Sequence, residues 1–275
     1  MKVVILTSDW YLSPKIAIKK FLENSLLKKY NIQVVGIISA SNFKFNKRTY
    51  KTIHNFIKKS GLIFFIKNAC VHIWQTIIVK FARFFIPNVN RNYFDIKELA
   101  TIHSIPYIHV SDINKKTSEK FLKKLKPDYL VSCLLLQIVK KNILKIPKKG
   151  SINFHPALTQ KHRGIFSSFW VLVKNWKRAG ATVHFMTEKI DDGKIIIQKR
   201  FFIHKSDTVN SINEKTAILG GDLLVRALIK LKRKKTKGFI LKNLGQLFST
   251  PSGAALKKFK KRGRLIIRLK DFFKI

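Results

Sequence analysis

The run Lys2-Val3-Val4-Ile5-Leu6-Thr7 begins the pattern that decides the fold of this 275-residue chain. It is a short β-branched and aliphatic run that ends in polar residues, and it is followed by a helical pattern and a second apolar run at 33–39. This order predicts a β-α-β unit. Because runs without polar alternation are typical of strands covered on both faces, the unit indicates an α/β protein with a mostly parallel sheet.

The regular pattern resumes at Asp95 and extends the same architecture. It predicts the following further elements: helices at 96–103, 117–125 and 209–231, and strands at 107–110, 129–133, 151–154 and 195–203. We expect Thr117 or Ser118 to cap the second of these helices, and Gly220-Gly221 to interrupt or bend the third. The second and third strands are predicted to be buried and parallel. The whole is typical of a Rossmann-like sheet with helices on both faces.

Two segments depart from this alternation. Residues from about 43 to 90 are predicted as a helical insertion, in which apolar residues recur at helical spacing: Ile63, Ile66, Cys70, Ile73, Trp74, Ile77, Phe81 and Phe84. Such an amphipathic helix can lie on a membrane surface or on the protein's own core, and packing on the core is the commoner case. The second segment is 206–275, which is predicted as a short basic helical C-terminal extension. The main domain is predicted to be 1–205 and contains the insertion.

The composition is strongly basic. A net charge of +42, from 56 Lys and Arg against 14 Asp and Glu, predicts an anionic partner such as nucleic acid or lipid headgroups, and compositional drift toward lysine is an equally weighted explanation. Cys70 and Cys133 lie in apolar runs, so we expect two buried thiols rather than a disulfide. We recognise neither an export signal nor an uninterrupted apolar span, which predicts a cytoplasmic protein with possible contact to the inner membrane surface.

Polar residues mark the end of the predicted strand at 151–154. Asn153 and His155 are two positions apart, so on a strand they project from the same face. Pro156 follows them and ends ladder pairing. Because open α/β sheets bind ligands beyond the carboxyl ends of their strands, this is the predicted functional edge of the sheet.

Four elements follow one another from this point: Asn153-Phe154-His155-Pro156, Arg163-Gly164, Gly180-Ala181-Thr182-Val183-His184 and Ile190-Asp191-Asp192-Gly193. In this order they resemble the formyltransferase family, which includes methionyl-tRNA, glycinamide ribonucleotide and amino-sugar formyltransferases. The resemblance covers roughly residues 95–205 and, more weakly, the opening β-α-β unit. It implies that the main domain, 1–205, is a formyltransferase catalytic domain.

The resemblance implies that Asn153, His155 and Asp191 form a catalytic trio and that 10-formyltetrahydrofolate is the formyl donor. The chemistry is consistent, because an Asn amide and an imidazolium can donate hydrogen bonds to the oxygen that becomes negative when an amine attacks a formyl carbon. A nearby carboxylate would favour protonated His155 and could relay the amine's proton through water. Asp192 is the rival for this carboxylate. His184 is expected to be structural, and no metal site is predicted.

The same resemblance implies a donor pocket formed by two loops. Its expected lining residues are Gln137, Ile138, Val139, Thr187, Ile190 and Gly193. Apolar residues after a strand more often belong to the core, so backbone contacts are the expected mode for Ile138 and Val139. The chain departs from the family at Leu136, where a glycine is usual, and at Ala157-Leu158-Thr159-Gln160, so the shape of the pocket stays open.

The acceptor also stays open at this point. Methionyl-tRNA and a nucleotide-linked amino sugar both suit a basic protein, although the 84 residues after Asp191 are few for a separate tRNA-binding barrel. Thr7-Ser8-Asp9-Trp10 lacks a glycine-rich phosphate cradle, which disfavours glycinamide ribonucleotide. Two alternatives remain: a formyltetrahydrofolate hydrolase, in which water replaces the amine, and a non-catalytic basic protein that binds nucleic acid or a membrane surface.

Overall fold

The protein is described here by a computed structural model. The model describes residues 1–8, 12–41, 47–66, 69–70, 95–241, 245–268 and 271. The strands are β1 Lys2–Ser8, β2 Gln33–Ala40, β3 Tyr107–Val110, β4 Tyr129–Cys133, β5 Gly150–His155, β6 His162–Gly164, β7 Arg178–Phe185, β8 Ile195–Phe202 and β9 Gln246–Phe248. The helices are α1 Leu12–Leu22, α2 Leu26–Lys29, α3 Lys47–Ser60, α4 Ile96–Ile102, α5 Lys116–Leu125, α6 Lys141–Leu144, α7 Ser167–Val173, α8 Val209–Lys232 and α9 Gly253–Lys261.

Seven strands form the main sheet, in the order β3-β2-β1-β4-β5-β7-β8. The first five pair in parallel, and β7 and β8 continue the sheet in antiparallel pairing. The mostly parallel α/β sheet predicted from the sequence is therefore confirmed, including its opening β-α-β unit. A second, two-stranded sheet pairs β6 with β9 in parallel.

Alternate side chains of β1 show how the sheet is covered. Val3 and Ile5 belong to a core cluster that also holds side chains of α1, α4 and α8, whereas Val4 and Leu6 belong to a cluster with α5 and α6. Because successive strand residues point to opposite faces, one apolar run can bury both faces of a strand. Helices on both faces of the sheet are confirmed.

The expected hydroxyl cap of α5 and the expected interruption of α8 were both wrong. The predicted hydroxyl cap of α5 is absent, because the helix begins at Lys116 after Lys115, whose side chain makes no cap hydrogen bond, and Thr117 and Ser118 lie inside the first turn. Helix α8 runs without interruption through Gly220-Gly221. A Cβ at Gly220 would clash with the ring of Phe154, so close packing of the helix on the sheet explains that glycine.

The cysteines and the insertion were only partly anticipated. Cys133 is buried, but Cys70 is exposed, so the expectation of two buried thiols was wrong for Cys70. The described part of the insertion contains α3 and a helical segment at 62–66, while most of the predicted helix at 62–86 lies outside the described residues. Among the described helices, none has the length and apolarity required to cross a membrane.

The proposed boundary at residue 205 falls in the connection between β8 and α8. Helix α8 nevertheless packs within the same core as the sheet, since Leu224 and Leu228 belong to the cluster that contains Val3 and Ile5. The later elements also pack back onto the main domain, because β9 pairs with β6 and Phe259 of α9 stacks on Phe169 of α7 at 4.9 Å.

Candidate active site

The carboxyl end of β5 carries the first two site residues. Asn153 pairs with Ser132 of β4 on one side and with His184 of β7 on the other, and His155 is the last residue of the strand. His155 is almost completely buried. The alternation predicted from the sequence therefore places both side chains on one face of the sheet, at the edge where the parallel strands end.

Asp191 comes from the connection between β7 and β8, which folds back over the sheet. Its Oδ2 lies 3.3 Å from His155 Nδ1, and its Oδ1 lies 3.5 Å from His184 Nε2. Asp191 has φ +48°, a left-handed conformation that aspartate tolerates better than most residues. The structure thus brings Asn153, His155 and Asp191 into one cluster. It also joins His184 to them.

His184 was expected to be structural, and the structure gives it a specific place. Its Nδ1 donates to the carbonyl of Phe185 at 2.7 Å, and its Nε2 lies 3.2 Å from the amide nitrogen of Asn153. Asn153 and His184 are directly paired across two antiparallel strands, where facing side chains lie close enough to interact. His184 therefore orients the Asn153 amide and contacts Asp191 through the same nitrogen.

The backbone of Gly164 completes the surroundings of Asp191. Its N–H donates to Asp191 Oδ2 at 2.9 Å. Asp192, the rival carboxylate, lies instead 3.8 Å from the guanidinium of Arg163. The preference for Asp191 over Asp192 therefore agrees with the geometry, because Asp191 lies 3.3 Å from His155 whereas Asp192 lies near Arg163.

Burial and charge act in opposite directions on the central pair. Burial raises the pKa of the Asp191 carboxyl, but His155, His184 and the N–H of Gly164 outweigh it and hold that pKa well below its usual range. Burial lowers the pKa of His155 by more than Asp191 raises it. The expectation that Asp191 favours protonated His155 is right in direction, but burial outweighs it, so at neutral pH an ionised carboxylate faces a neutral imidazole in the free protein.

The neutral imidazole of His155 has one ring proton but two acceptors. Nδ1 faces Asp191 Oδ2, and Nε2 lies 3.1 Å from the carbonyl oxygen of His162. A neutral ring can donate to only one of them, whereas the imidazolium donates to both. The site is thus arranged to stabilise a proton taken up by His155, even though burial alone opposes it.

The two loops expected to bind the donor follow β4 and β7, and their side chains differ in burial and hydrogen bonding. The side chain of Gln137 is tied to the segments that follow β2 and β3, since it accepts from the N–H of Ile113 and donates to the carbonyls of Ser41 and Ser111. Val139 is buried in the core. Both residues therefore shape the loop that follows β4, and only their backbones remain for ligand contacts.

The other residues of these loops are more open. Ile138 and Ile190 are 62% and 46% exposed, so each loop carries exposed apolar surface. The Thr187 hydroxyl closes a turn with the backbone of Lys189. A Cβ at Gly193 would clash with the carbonyl of Phe185, so this position holds the loop close to β7.

Sequence reasoning missed the pairing of β9 with β6, the short strand that ends at Gly164; we call this pair of strands the clasp. His162 stacks on Phe248 with ring centroids 4.8 Å apart, the N–H of Gly245 donates to the Thr159 carbonyl, and Arg163 Nε donates to the Gly245 carbonyl. Strands of three residues give almost no periodicity signal, which is why the pattern did not reveal β6 or β9. Among the described residues, no group of three or more His, Cys, Asp or Glu could hold a metal ion.

The fold and the site define an α/β protein with a polar Asn-His-Asp cluster at the edge of a mostly parallel sheet. Residues 96–228 match the family model for formyl transferase, so the resemblance read from the sequence is confirmed over this segment. It spans the Asn153, His155 and Asp191 cluster.

Individual relatives agree with this family. The chain is 36% identical over 143 residues to the bifunctional polymyxin resistance protein ArnA of Wigglesworthia glossinidia brevipalpis, covering 52% of this chain and 22% of that protein. It is 31% identical over 137 residues to the methionyl-tRNA formyltransferase of Thermotoga maritima, covering 50% of this chain and 44% of that protein. The chain thus spans less than half the length of both curated relatives.

Solved structures extend the likeness of the fold. A sugar N-formyltransferase from Shewanella superposes with a TM-score of 0.55 at 18% identity, over 90% of this chain and 76% of that chain. At this identity the likeness concerns the fold alone.

We predict that Gly164→Ala disturbs the site through the clasp. Gly164 has φ +90°, and a Cβ there would clash with the carbonyl of Phe248. The end of β6 must therefore shift, which moves the N–H of Gly164 away from Asp191. Backbone strain of this kind corresponds to about 1–3 kcal/mol of stability. We expect a lower urea midpoint together with a fall of about tenfold or more in kcat, as for a misplaced catalytic group.

Gly61→Ala is the matched control for this variant. Gly61 has φ +82°, yet nothing lies within 4 Å of its Cβ position. It should share the backbone strain without the loss of kcat. Equal losses of kcat in the two variants would contradict a role for Gly164 in positioning Asp191.

We predict that His162→Phe flattens the acid side of the stability profile. His162 is buried, and neither ring nitrogen has a hydrogen-bond partner among the described residues. Burial lowers its pKa to about 3. Because the unfolded chain binds this proton near pH 6.5, the stability from neutral His162 is complete above about pH 6.5 and is lost as the pH falls toward about 3, by up to about 1.4 kcal/mol per pH unit.

Urea unfolding at neutral pH and at about pH 4.5 measures the effect, because pH 4.5 lies within that window. Phenylalanine keeps the stack on Phe248 and does not titrate, so the variant should lose less stability on acidification than the parent. The exposed His103 provides the control, as His103→Phe, for removing an imidazole from the surface. An unchanged acid profile in His162→Phe would contradict the prediction.

Proposed function

We propose that this chain is an N-formyltransferase that moves a formyl group from 10-formyltetrahydrofolate to a primary amine. The observation that carries the proposal is the convergence of Asn153, His155 and Asp191 within the segment that matches the formyl transferase family, with His155 and Asp191 3.3 Å apart. Within this proposal the three residues are the catalytic residues.

Asn153 acts in the proposed reaction as the hydrogen-bond donor to the formyl oxygen. When bound, 10-formyltetrahydrofolate supplies the formyl carbon, whose bond to the folate nitrogen breaks as the amine nitrogen bonds to it. Negative charge gathers on the formyl oxygen during this exchange, and a preorganised amide N–H stabilises that charge. An amide NH₂ has two N–H groups, so one can serve His184 while the other serves the substrate.

His155 and Asp191 handle the proton in the proposed reaction. The attacking amine must lose a proton, and the folate nitrogen must gain one when it leaves. Neutral His155 has one unprotonated nitrogen to receive a proton, and the resulting imidazolium would donate to both Asp191 and the His162 carbonyl. Ionised Asp191 stabilises that cation, which is the role expected of a carboxylate next to a catalytic histidine.

The loops after β4 and β7 fit a planar donor in this proposal. Ile138 and Ile190 offer exposed apolar surface, and planar heterocycles bind between apolar side chains with a few polar contacts to fix their orientation. We propose Gln137, Ile138, Val139, Thr187, Ile190 and Gly193 as the donor-binding set, with Gln137, Val139 and Gly193 acting through the shape of the loops. The proposed reaction uses no metal ion.

Two acceptors are supported by different observations. The Thermotoga maritima relative is a methionyl-tRNA formyltransferase, and a basic surface suits tRNA phosphates. A nucleotide-linked amino sugar is supported by the sugar N-formyltransferase fold and by the C-terminal elements, since β9 and α9 pack onto the main domain. Either acceptor is anionic and would be met in the cytoplasm, where we place the protein.

An acceptor panel tests the proposal. The full chain is incubated with 10-formyltetrahydrofolate and, in parallel reactions, with methionyl-tRNA, with nucleotide-linked amino sugars and with no amine, and formylated product is measured by mass spectrometry. The proposal expects formylated product with one class of amine. Donor turnover that is equal without any amine would instead indicate a hydrolase, and the absence of turnover in all reactions would favour a non-catalytic binding protein.

A further inference from the structure

An apolar face is exposed on the helical segment at 62–66. Leu62, Ile63 and Ile66 are 55%, 71% and 48% exposed, whereas Phe64 is buried against Phe169 of α7. Positions i, i+1 and i+4 of a helix lie on one side of it. The three aliphatic side chains therefore form one outward patch, while Phe64 anchors the segment from the other side.

A basic helix lies next to this patch. In α9, Ala255 and Phe259 are buried, and Lys257, Lys258, Lys260 and Lys261 are exposed. Phe259 and Phe64 contact the same ring, that of Phe169, with centroids 4.9 and 5.9 Å away. The two segments are therefore neighbours on α7, with their buried rings together and their exposed side chains facing outward.

Further contacts fix this arrangement. The Ser60 hydroxyl, just before the apolar patch, donates to the carbonyl of Pro251, just before α9. Lys59 at the end of α3 donates to the hydroxyl of Ser249. The patch and the basic helix are thus tied to each other at their adjoining ends, so they present a joint surface.

The acidic residues are distributed unevenly along the chain. There is no Asp or Glu between Glu23 and Asp95, or between Asp222 and Asp271, and eleven of the fourteen acidic residues fall within 95–222. Compositional drift alone would thin them along the whole chain. The two stretches without acid are the ones that supply the apolar patch and the basic helix.

We propose that this surface docks the protein peripherally on an anionic lipid bilayer. Exposed aliphatic side chains can insert at the boundary between headgroups and acyl chains, and adjacent lysines are attracted to anionic headgroups. Nucleic acid would attract the lysines, but it would offer no apolar environment to the three exposed aliphatic side chains. We call Leu62, Ile63, Ile66 and the four α9 lysines the docking surface. The inference does not depend on the formyl transfer chemistry.

Flotation of the full chain with lipid vesicles tests the inference. Vesicles of phosphatidylglycerol mixed with phosphatidylcholine are compared with vesicles of phosphatidylcholine alone, at low and high salt. We expect binding to the anionic vesicles, weakened by salt because the lysine attraction is screened. Replacing Leu62, Ile63 and Ile66 by glutamate, or the four α9 lysines by glutamine, should weaken the partition by at least about tenfold.

Two matched variants separate the docking surface from net charge. Glutamate at Ile102, Ile218 and Ile240 introduces the same three charges at other exposed aliphatic residues. Glutamine at Lys116, Lys120, Lys123 and Lys124 removes four exposed lysines from α5, which packs in a different core cluster. Both controls should keep most of the vesicle binding.

Several results would overturn the inference. These are no flotation of the parent, equal flotation with neutral vesicles, or equal losses in the controls and in the docking-surface variants. Binding of a single-stranded RNA homopolymer that depends on the docking surface, in a parent that ignores vesicles, would also overturn it and identify a nucleic-acid surface. Flotation requires no turnover, so this outcome is independent of whether the formyl transfer proposal holds.

Discussion

Replacing His155 by alanine is expected to lower kcat for formyl transfer by about 10²–10⁴-fold, the range typical of a lost general acid or base. The imidazole lies between Asp191 Oδ2 at 3.3 Å and the His162 carbonyl at 3.1 Å, and the proposed reaction assigns the amine's proton to it. Steady-state kinetics with the acceptor identified by the panel would measure the effect, and circular dichroism would check the fold.

A second variant keeps this prediction testable if alanine weakens folding. His155→Gln retains a hydrogen-bond donor for one of the two acceptors, but an amide does not take up a proton at neutral pH. Its kcat should stay low while its urea midpoint recovers toward that of the parent. The exposed His103→Ala serves as the control. If His155→Gln retained full kcat, His155 would be a structural residue and not a catalytic one.

Asp191→Asn is expected to produce the second large effect, a fall of about 10²-fold or more in kcat. Asparagine keeps an oxygen for the N–H of Gly164 but lacks the negative charge that stabilises protonated His155. The pKa of His155, already lowered by burial, should fall further, and proton uptake during the reaction becomes harder. A pH profile of kcat would show this as a shift of the limb assigned to His155 toward lower pH.

The charge of Asp191 also makes stability depend on pH. Its pKa is lower in the folded protein than in the unfolded chain, so its stabilising contribution is present above about pH 3.9, the unfolded pKa, and is lost as the pH falls further. Asp191→Asn should therefore be less stable than the parent at neutral pH, and the difference should shrink toward acid.

Asp192→Asn is the matched control for Asp191→Asn. It removes the same charge from the adjacent residue, whose carboxylate lies near Arg163 and not near His155. It should change kcat much less. A larger loss in Asp192→Asn than in Asp191→Asn would reverse the assignment of the two carboxylates.

Local periodicity was enough to predict the parallel strands of the main sheet and the shared face of Asn153 and His155. β1, β2, β4 and β5 are short apolar runs, and a period of two places Asn153 and His155 on one face whatever the sheet does elsewhere. Motif order added Asp191, although its distance from His155 depends on how the connection between β7 and β8 folds back, which no local pattern encodes.

The contacts that sequence reasoning missed are long-range pairings. His184 reaches Asn153 because β5 and β7 pair antiparallel in a particular register, and His162 meets Phe248 because two three-residue strands pair across more than eighty residues. Register depends on the burial of whole faces and not on the residues that form each pair.

The protonation of His155 was only partly predicted, for a similar reason. The sequence indicated a carboxylate close to His155 and hence a protonated ring, but it gave no measure of how completely the ring is buried. Burial is the larger influence on the pKa of His155, so the free protein holds the neutral form. The sequence thus predicted which groups meet but not their protonation state.

The most direct test of the account follows an isotopically labelled formyl carbon from 10-formyltetrahydrofolate in reactions with the parent, His155→Gln and Asp192→Asn. We expect the parent and Asp192→Asn to transfer the label to the nitrogen of an amine acceptor and His155→Gln to do so at least about 10²-fold more slowly. Label that appears as free formate regardless of the amine, or equal transfer by the parent and His155→Gln, would contradict this expectation.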